Sequence, residues 1–139
     1  RPVDVLWWVE CFPSYTARGR DAARATARLL AALGIDFAIL GAEEIRLSVV
    51  SPWELVIKSA LGKLVLHRTV DDICRELERE FAAQSLAVTL AHVLEVGRLP
   101  PHHGDPFDRL LIAQARVEGL TIVTRDHVFA EYGVAVVKA

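Results

Sequence analysis

Three acidic residues stand where a strand or a loop is expected to lead into a helix: Glu54, Asp108 and Asp126. Parallel α/β sheets gather functional groups beyond the carboxyl ends of their strands, so the three carboxylates are expected to converge on one edge of a sheet. Carboxylate oxygens are the ligands that hard cations prefer. The pattern therefore predicts a Mg²⁺ or Mn²⁺ site, and such ions promote phosphodiester hydrolysis by polarising phosphoryl oxygens and activating water.

Helix capping is the alternative role for these acids. The segments SPWE (51–54) and DPFD (105–108) share one plan, with an N-cap residue, proline at N1, an aromatic residue at N2 and an acid at N3. An acid at N3 is favoured by the helix dipole by roughly 0.3 to 1 kcal/mol. Capping is the commoner role for any one acid, but it does not explain why three separate junctions carry one. Their joint occurrence favours the metal site.

Strands and helices alternate along the chain, which predicts an α/β fold with a mainly parallel central sheet. The predicted strands cover residues 3–9, 36–40, 46–50, 86–88, 121–123 and 134–137. The predicted helices cover residues 16–33, 52–61, 70–82, 90–96, 108–118 and 128–132. No internal repeat, low-complexity tract or linker indicates a second domain, so residues 1–139 are predicted to form one domain.

Two stretches, SVVSPWELVIKSALGKL and LAHVLEVGRLPPHHGDPFDRLLIAQARVEGLTIVTRDHVFAEYGVAVVKA, resemble the body of a PIN domain, the VapC-like toxin ribonuclease of type II toxin-antitoxin pairs. The resemblance runs from about residue 45 to residue 139. It implies a three-layer α/β/α sandwich and a metal-dependent endoribonuclease in which Glu54, Asp108 and Asp126 match three of four metal-site acids. The partners it implies are RNA, a small antitoxin that covers the acidic cleft, and a second copy of the chain in dimeric members.

The fourth acid of that family closes its first strand, where this chain has no aspartate. The predicted strand 3–9 has Asp4 near its start and Glu10 just past its carboxyl end. Asp4 would lie about 20 Å from that end at about 3.3 Å per residue. Glu10 is therefore expected to be the substitute ligand, with weak activity because its longer side chain can misplace an oxygen around an octahedral ion.

Residues 1–44 resemble a second family. Their similarity is to the start of a cysteine-rich domain of heterodisulfide-reductase-type iron–sulfur oxidoreductases, and it lies in the segment WWVECFPSYTARGRDAARATARLLAALGIDFAILGAEE. The two cysteines of the chain, Cys11 and Cys74, cannot supply a four-thiolate set, so no iron–sulfur cluster is expected. The alternative function is accordingly a non-catalytic α/β binding module, a relic of either family without activity.

The composition of the chain indicates how it would contact RNA and in which cellular compartment it acts. A net charge of −2 argues against a broad nucleic-acid surface, so RNA contacts are expected to be local and to use Lys58, Arg109 and Arg125. Two cysteines and no secretory segment predict the reducing cytoplasm, and the apolar runs are too short to span a membrane. His102 and His103 lack the spacing of a zinc site and are expected to be surface loop residues.

Overall fold

Strands and helices are interspersed along the described part of the chain, in the order that the sequence predicts. The computed structural model describes residues 39–40 and 45–138. The strands are β1 (Ile39–Leu40), β2 (Ile45–Ser48), β3 (Gln84–Leu86), β4 (Thr121–Thr124) and β5 (Val136–Lys138). The helices are α1 (Val50–Ala60), α2 (Val70–Phe81), α3 (Leu90–Val96) and α4 (Pro106–Glu118), and a 3-10 helix spans His127–Tyr132. The predicted strand 3–9 and helix 16–33 lie outside the described residues.

The described strands form one sheet in the order β3-β2-β1-β4-β5. β2 pairs in parallel with β3 and β4 pairs in parallel with β5, whereas β1 is antiparallel to both of its neighbours. The α/β class with a mainly parallel sheet is confirmed. The reversed direction of β1 was not predicted, and its cause is the link of residues 41–44, because a parallel crossover needs a dozen or more residues.

Helices cover both faces of this sheet. Ile122 and Val123 are consecutive in β4 and both have no exposed surface, although neighbouring side chains of a strand point to opposite faces. Buried side chains of the helices pack into the same core: Leu55 of α1, Leu77 of α2 and Leu111 of α4. The arrangement has the two helical layers that a parallel sheet requires. Among the described residues, no helix is both long and apolar enough to cross a membrane.

The start of α1 differs from the prediction. The helix begins at Val50 rather than Pro52, because the Oγ atom of Ser48 accepts the backbone N–H of Val50 at 3.2 Å. Ser51 is therefore inside the first turn, and its predicted role as the N-cap is wrong. Pro52 also lies in the first turn, where its missing N–H costs no hydrogen bond. Glu54 consequently sits one turn into the helix, away from the N3 position.

The start of α4 follows the predicted plan. Asp105 is the N-cap, and its Oδ1 atom accepts the backbone N–H groups of Phe107 at 2.8 Å and Asp108 at 3.4 Å. Pro106 occupies N1, where its fixed φ suits the first turn. The helix ends at Gly119, whose φ of 67° is a left-handed conformation that glycine adopts without strain. Because Asp105 does the capping, the Asp108 carboxylate is not needed for it.

Candidate metal centre

Two of the predicted acids, Asp108 and Asp126, lie together with His103. One possible ligand atom from each residue, a ring nitrogen or a carboxylate oxygen, lies within 4.8 Å of the other two. Asp108 comes from the first turn of α4, Asp126 follows β4, and His103 belongs to the loop before α4. The three side chains are 14, 23 and 17 % exposed for Asp108, Asp126 and His103, respectively. The cluster is thus partly shielded from water but still in contact with it.

Asp126 caps a helix and serves the cluster at the same time. Its Oδ1 atom accepts the backbone N–H of Val128 at 2.9 Å, which caps the 3-10 helix. Its Oδ2 atom lies 2.9 Å from Nε2 of His103. The backbone N–H of Asp126 donates to Oγ1 of Thr124 at 3.0 Å, which fixes the turn after β4. Asp126 can therefore cap a helix and belong to the cluster at once, because its two carboxylate oxygens have different partners.

The environment of Asp126 favours its charged form. Burial by itself would raise the pKa of this carboxyl group. The backbone N–H of Val128 and the ring of His103 outweigh it, with a smaller contribution from His127, so that the pKa lies below its ordinary value. At neutral pH the group is ionised, and the nearby Asp108 carboxylate adds like charge in a partly shielded space. A bound cation would relieve that repulsion.

His103 is not the surface residue that the sequence led us to expect. Its ring packs edge to face with that of Phe129 at 5.9 Å, and its backbone N–H donates to the Tyr132 hydroxyl at 2.6 Å. Neighbouring His102 does fit the expectation, because its side chain is 41 % exposed and its Nδ1 atom lies 3.7 Å from Glu131. The sequence signal for His103 was its position in the loop that turns into α4 just before Asp108.

Arg109 holds the loop that carries His103. Its terminal nitrogens donate to four backbone carbonyl groups, those of Val96 at 3.2 Å, Leu99 at 3.1 Å, Pro100 at 2.8 Å and His103 at 3.3 Å. One of them also lies 3.4 Å from the Tyr132 hydroxyl. Both terminal nitrogens of Arg109 are engaged within the protein, so its expected contact with RNA stays a prediction that nothing in the structure supports. The planar guanidinium suits this role, since it presents several donors in one rigid fork.

Buried polar contacts fix α4 against the sheet. The Ser48 hydroxyl at the end of β2 donates to Oε1 of Gln114 at 2.5 Å, and both residues have no exposed surface. Nε2 of Gln114 donates to the carbonyl of Ala87, just after β3, at 3.3 Å. The middle of α4 is thereby joined to the carboxyl ends of two parallel strands. This is the sheet edge at which the sequence analysis expected the site.

Glu54 is buried beside the cluster's helix but is not a member of the cluster. Its side chain is 7 % exposed, and its Oε1 atom lies 2.6 Å from Nζ of Lys58. The preceding residue, Trp53, packs edge to face with Phe107 at 4.9 Å between ring centroids. α1 therefore approaches the start of α4, although the Glu54 carboxylate is outside the 4.8 Å group. Its role as a ligand stays a prediction, and Glu10 lies outside the described residues.

A family model for the PIN domain matches residues 10–135. The chain belongs to the PIN-domain family. PIN domains are generally nucleases. The match starts at residue 10 rather than near residue 45, so it includes most of the segment that we compared with iron–sulfur oxidoreductases, and that second similarity stays a prediction. No curated protein sequence matched the chain.

The donor set of this PIN domain fits a hard divalent cation. Asp108 and Asp126 come from different elements, yet each turns an Oδ2 atom toward the same ring nitrogen, at 3.1 and 2.9 Å. Mg²⁺ takes oxygen ligands at about 2.0–2.1 Å, and one or two carboxylates are its usual protein ligands. The two acids could therefore hold such an ion with modest movement. The described residues offer no cysteine to the group, so it lacks the soft ligands of a structural zinc site.

Proposed function

We propose that this PIN domain is a Mg²⁺- or Mn²⁺-dependent endoribonuclease of the type II toxin-antitoxin kind, acting in the cytoplasm. The observation that supports the proposal best is the convergence of Asp108 and Asp126 from two different elements. A divalent cation held by these carboxylates would polarise a phosphodiester oxygen and assist in-line attack of water. The lowered pKa of Asp126 means that this ligand stays charged to a more acidic pH than an ordinary aspartate would.

The protein supplies rigid positioning for this chemistry. Asp108 is fixed because α4 is capped by Asp105, and Asp126 is fixed because its other oxygen binds the N–H of Val128. Neither carboxylate needs to reorganise much when a cation arrives, which lowers the cost of binding. Arg125 is exposed beside Asp126, so among the expected cations it is well placed for contact with RNA phosphates.

We propose that Glu54 and Glu10 complete the ligand set. Glu54 must then exchange its contact with Lys58 for the cation, which is feasible because the lysine side chain is 35 % exposed and can turn toward water. Glu10 falls within the matched part of the chain. Activity in Mn²⁺ should fall sharply for Glu10→Gln and stay level for Asp4→Asn. The reverse order would assign the fourth acid elsewhere.

A ribonuclease assay on mixed-sequence RNA tests the function. Wild-type protein should cleave internally in Mg²⁺ or Mn²⁺ and lose activity in EDTA, and Asp108→Asn and Asp126→Asn should each lose most of it. Asp71→Asn is the matched control, because this acid on α2 is 66 % exposed and pairs with Arg75 on the surface. Cleavage that persists in Asp108→Asn would exclude the proposed site. Mn²⁺ binding without cleavage would favour the alternative of a non-catalytic binding module.

We further propose that the chain forms a homodimer and binds a small antitoxin, the two protein partners that the family resemblance implies. Support for an interface comes from α3, where Leu90, Val93 and Leu94 are 72, 52 and 55 % exposed and share one face of the helix. Sedimentation of wild-type protein and Leu94→Arg tests the dimer. A monomeric wild type at micromolar concentration would exclude it, and co-purification with a candidate antitoxin tests the second partner.

A further inference from the structure

Three contacts fix His103 in addition to those that its ring makes with the acids. Its backbone N–H donates to the Tyr132 hydroxyl at 2.6 Å, and its backbone carbonyl accepts from Arg109 at 3.3 Å. The ring itself contacts Phe129 edge to face. These contacts restrict the rotation of the imidazole, so the surrounding residues determine the direction in which each ring nitrogen points.

The partner of Nδ1 decides where the ring carries its proton. The backbone N–H of Asp105 donates to Nδ1 of His103 at 3.1 Å. A backbone amide can only donate, so Nδ1 must offer a lone pair. A neutral imidazole carries one N–H, which must then be on Nε2. The same Asp105 that caps α4 with its side chain thus sets the tautomer of His103 with its backbone.

The protonated nitrogen points at the two acids. Nε2 lies 2.9 Å from Oδ2 of Asp126, where it donates a hydrogen bond, and 3.1 Å from Oδ2 of Asp108. A metal ligand needs a lone pair on the coordinating nitrogen, and this tautomer has none on Nε2. Turning His103 into a ligand would require a proton on Nδ1, where it would meet the Asp105 N–H. The hydrogen-bond pattern therefore separates His103 from the oxygen ligands.

We propose that His103 is a positioning residue whose Nε2–H orients the Asp126 and Asp108 carboxylates for a divalent cation without binding the cation itself. The inference rests on the proposed function for the identity of the site. Hydrogen-bond donors to ligating carboxylates raise metal affinity by fixing their orientation, and losing one typically costs 10- to 100-fold. It follows that the cation is selected by oxygen ligands, which favours Mg²⁺ and Mn²⁺ over metals that seek nitrogen.

Calorimetric titration with Mn²⁺, in the absence of RNA, tests the role. His103→Ala should weaken Mn²⁺ binding about 10- to 100-fold. His103→Gln keeps an N–H donor on a side chain of similar reach and should recover most of that loss. His102→Ala is the matched control, because the neighbouring ring is exposed and lies outside the cluster, and it should bind as wild type does. Unchanged affinity in His103→Ala would overturn the proposal.

Two spectroscopic measurements on the wild-type chain distinguish a donor from a ligand. Long-range ¹⁵N–¹H correlation spectra in mildly alkaline solution, where imidazoles are neutral, should show the proton of His103 on Nε2. Pulsed electron paramagnetic resonance of the Mn²⁺ complex should show no directly coordinated nitrogen. A proton on Nδ1, or a nitrogen coupling that disappears in His103→Gln, would overturn the proposal. These measurements decide the question even if His103→Ala does not fold.

The outcomes also separate this inference from the proposed function. If the Mn²⁺ affinities follow the expected order but RNA is not cleaved, the endoribonuclease proposal fails and the role of His103 stands. If RNA is cleaved while His103→Ala binds Mn²⁺ as wild type does, the inference fails alone. A wild-type chain that binds no Mn²⁺ contradicts both.

Discussion

Oε1 of Glu54 lies 2.6 Å from Nζ of Lys58, one turn further along α1. The carboxylate is 7 % exposed and the lysine side chain 35 % exposed, so the charge of a nearly buried acid is balanced by a partner that reaches solvent. An isolated buried carboxylate is costly, whereas a paired one is tolerated. A proposed ligand of the site is thus already neutralised before any cation binds.

We expect Lys58→Gln to lower the free energy of unfolding of the metal-free protein by about 1–3 kcal/mol, because the buried Glu54 carboxylate loses its charged donor. Saturating Mn²⁺ should recover part of that loss if Glu54 is a ligand. Urea denaturation with and without Mn²⁺ measures both. The control is Arg75→Gln, which breaks an exposed ion pair with Asp71 of the same i,i+4 spacing and should cost less than about 0.5 kcal/mol. Equal losses in both variants would contradict the role of burial.

Replacing Arg109 by lysine should destabilise the loop that carries His103. Lysine keeps the charge but cannot reach four carbonyl groups at once, so several partly buried acceptors would lose their donor. We expect a loss of about 2–4 kcal/mol in the free energy of unfolding. Hydrogen exchange of the backbone amides in the segment 97–104 should be faster in this variant than in the wild type, and the increase should be larger there than in the sheet. Arg98→Lys is the control, because that side chain is 72 % exposed and contacts Glu95 at 3.4 Å; a similar effect there would contradict the assignment.

Replacing the two acids of the DPFD segment should have different effects on the stability of the metal-free protein. Asp105→Ala removes the N-cap of α4 and should cost about 1–2 kcal/mol of stability. Asp108→Asn leaves the cap intact and removes one of two neighbouring like charges, so metal-free stability should change by less than about 0.5 kcal/mol or rise. Thermal and urea unfolding in EDTA compares the two. A larger loss for Asp108→Asn would mean that Asp108, rather than Asp105, is the structural acid.

Cys74 should react slowly with alkylating reagents. Burial raises the pKa of this half-buried thiol, and the Glu78 and Asp71 carboxylates raise it further. The thiolate is the reactive form, so less of it is present in the folded chain than in the unfolded chain at the same pH. Stability should correspondingly fall as pH rises through the ordinary cysteine pKa of about 8.5, because the unfolded state then loses its proton first. Iodoacetamide labelling in a Cys11→Ser background, followed by mass spectrometry, checks the rate. Labelling as fast as in urea would contradict the burial of the thiol.

Local patterns in the sequence were sufficient for most helices and for the two acids of the cluster. α2 was predicted to within one residue, because Ile73 and Leu77 recur at helical spacing and both are buried. α4 was recognised from DPFD, whose N-cap and proline act within one turn. Asp108 and Asp126 were expected to meet because residues at the carboxyl ends of parallel elements share one edge of a sheet.

Only the tertiary structure showed the contacts of His103, Arg109 and Glu54. The position of His103 depends on its contacts with Asp126 and with Tyr132, which is 29 residues away in the sequence, and no local pattern encodes these contacts. SPWE and DPFD look alike as sequences, but only the second caps its helix, because Ser48 lies where it can accept the first N–H of α1. Capping and periodicity are short-range and can be read from neighbouring residues, whereas the partner of a side chain across the fold is set by packing.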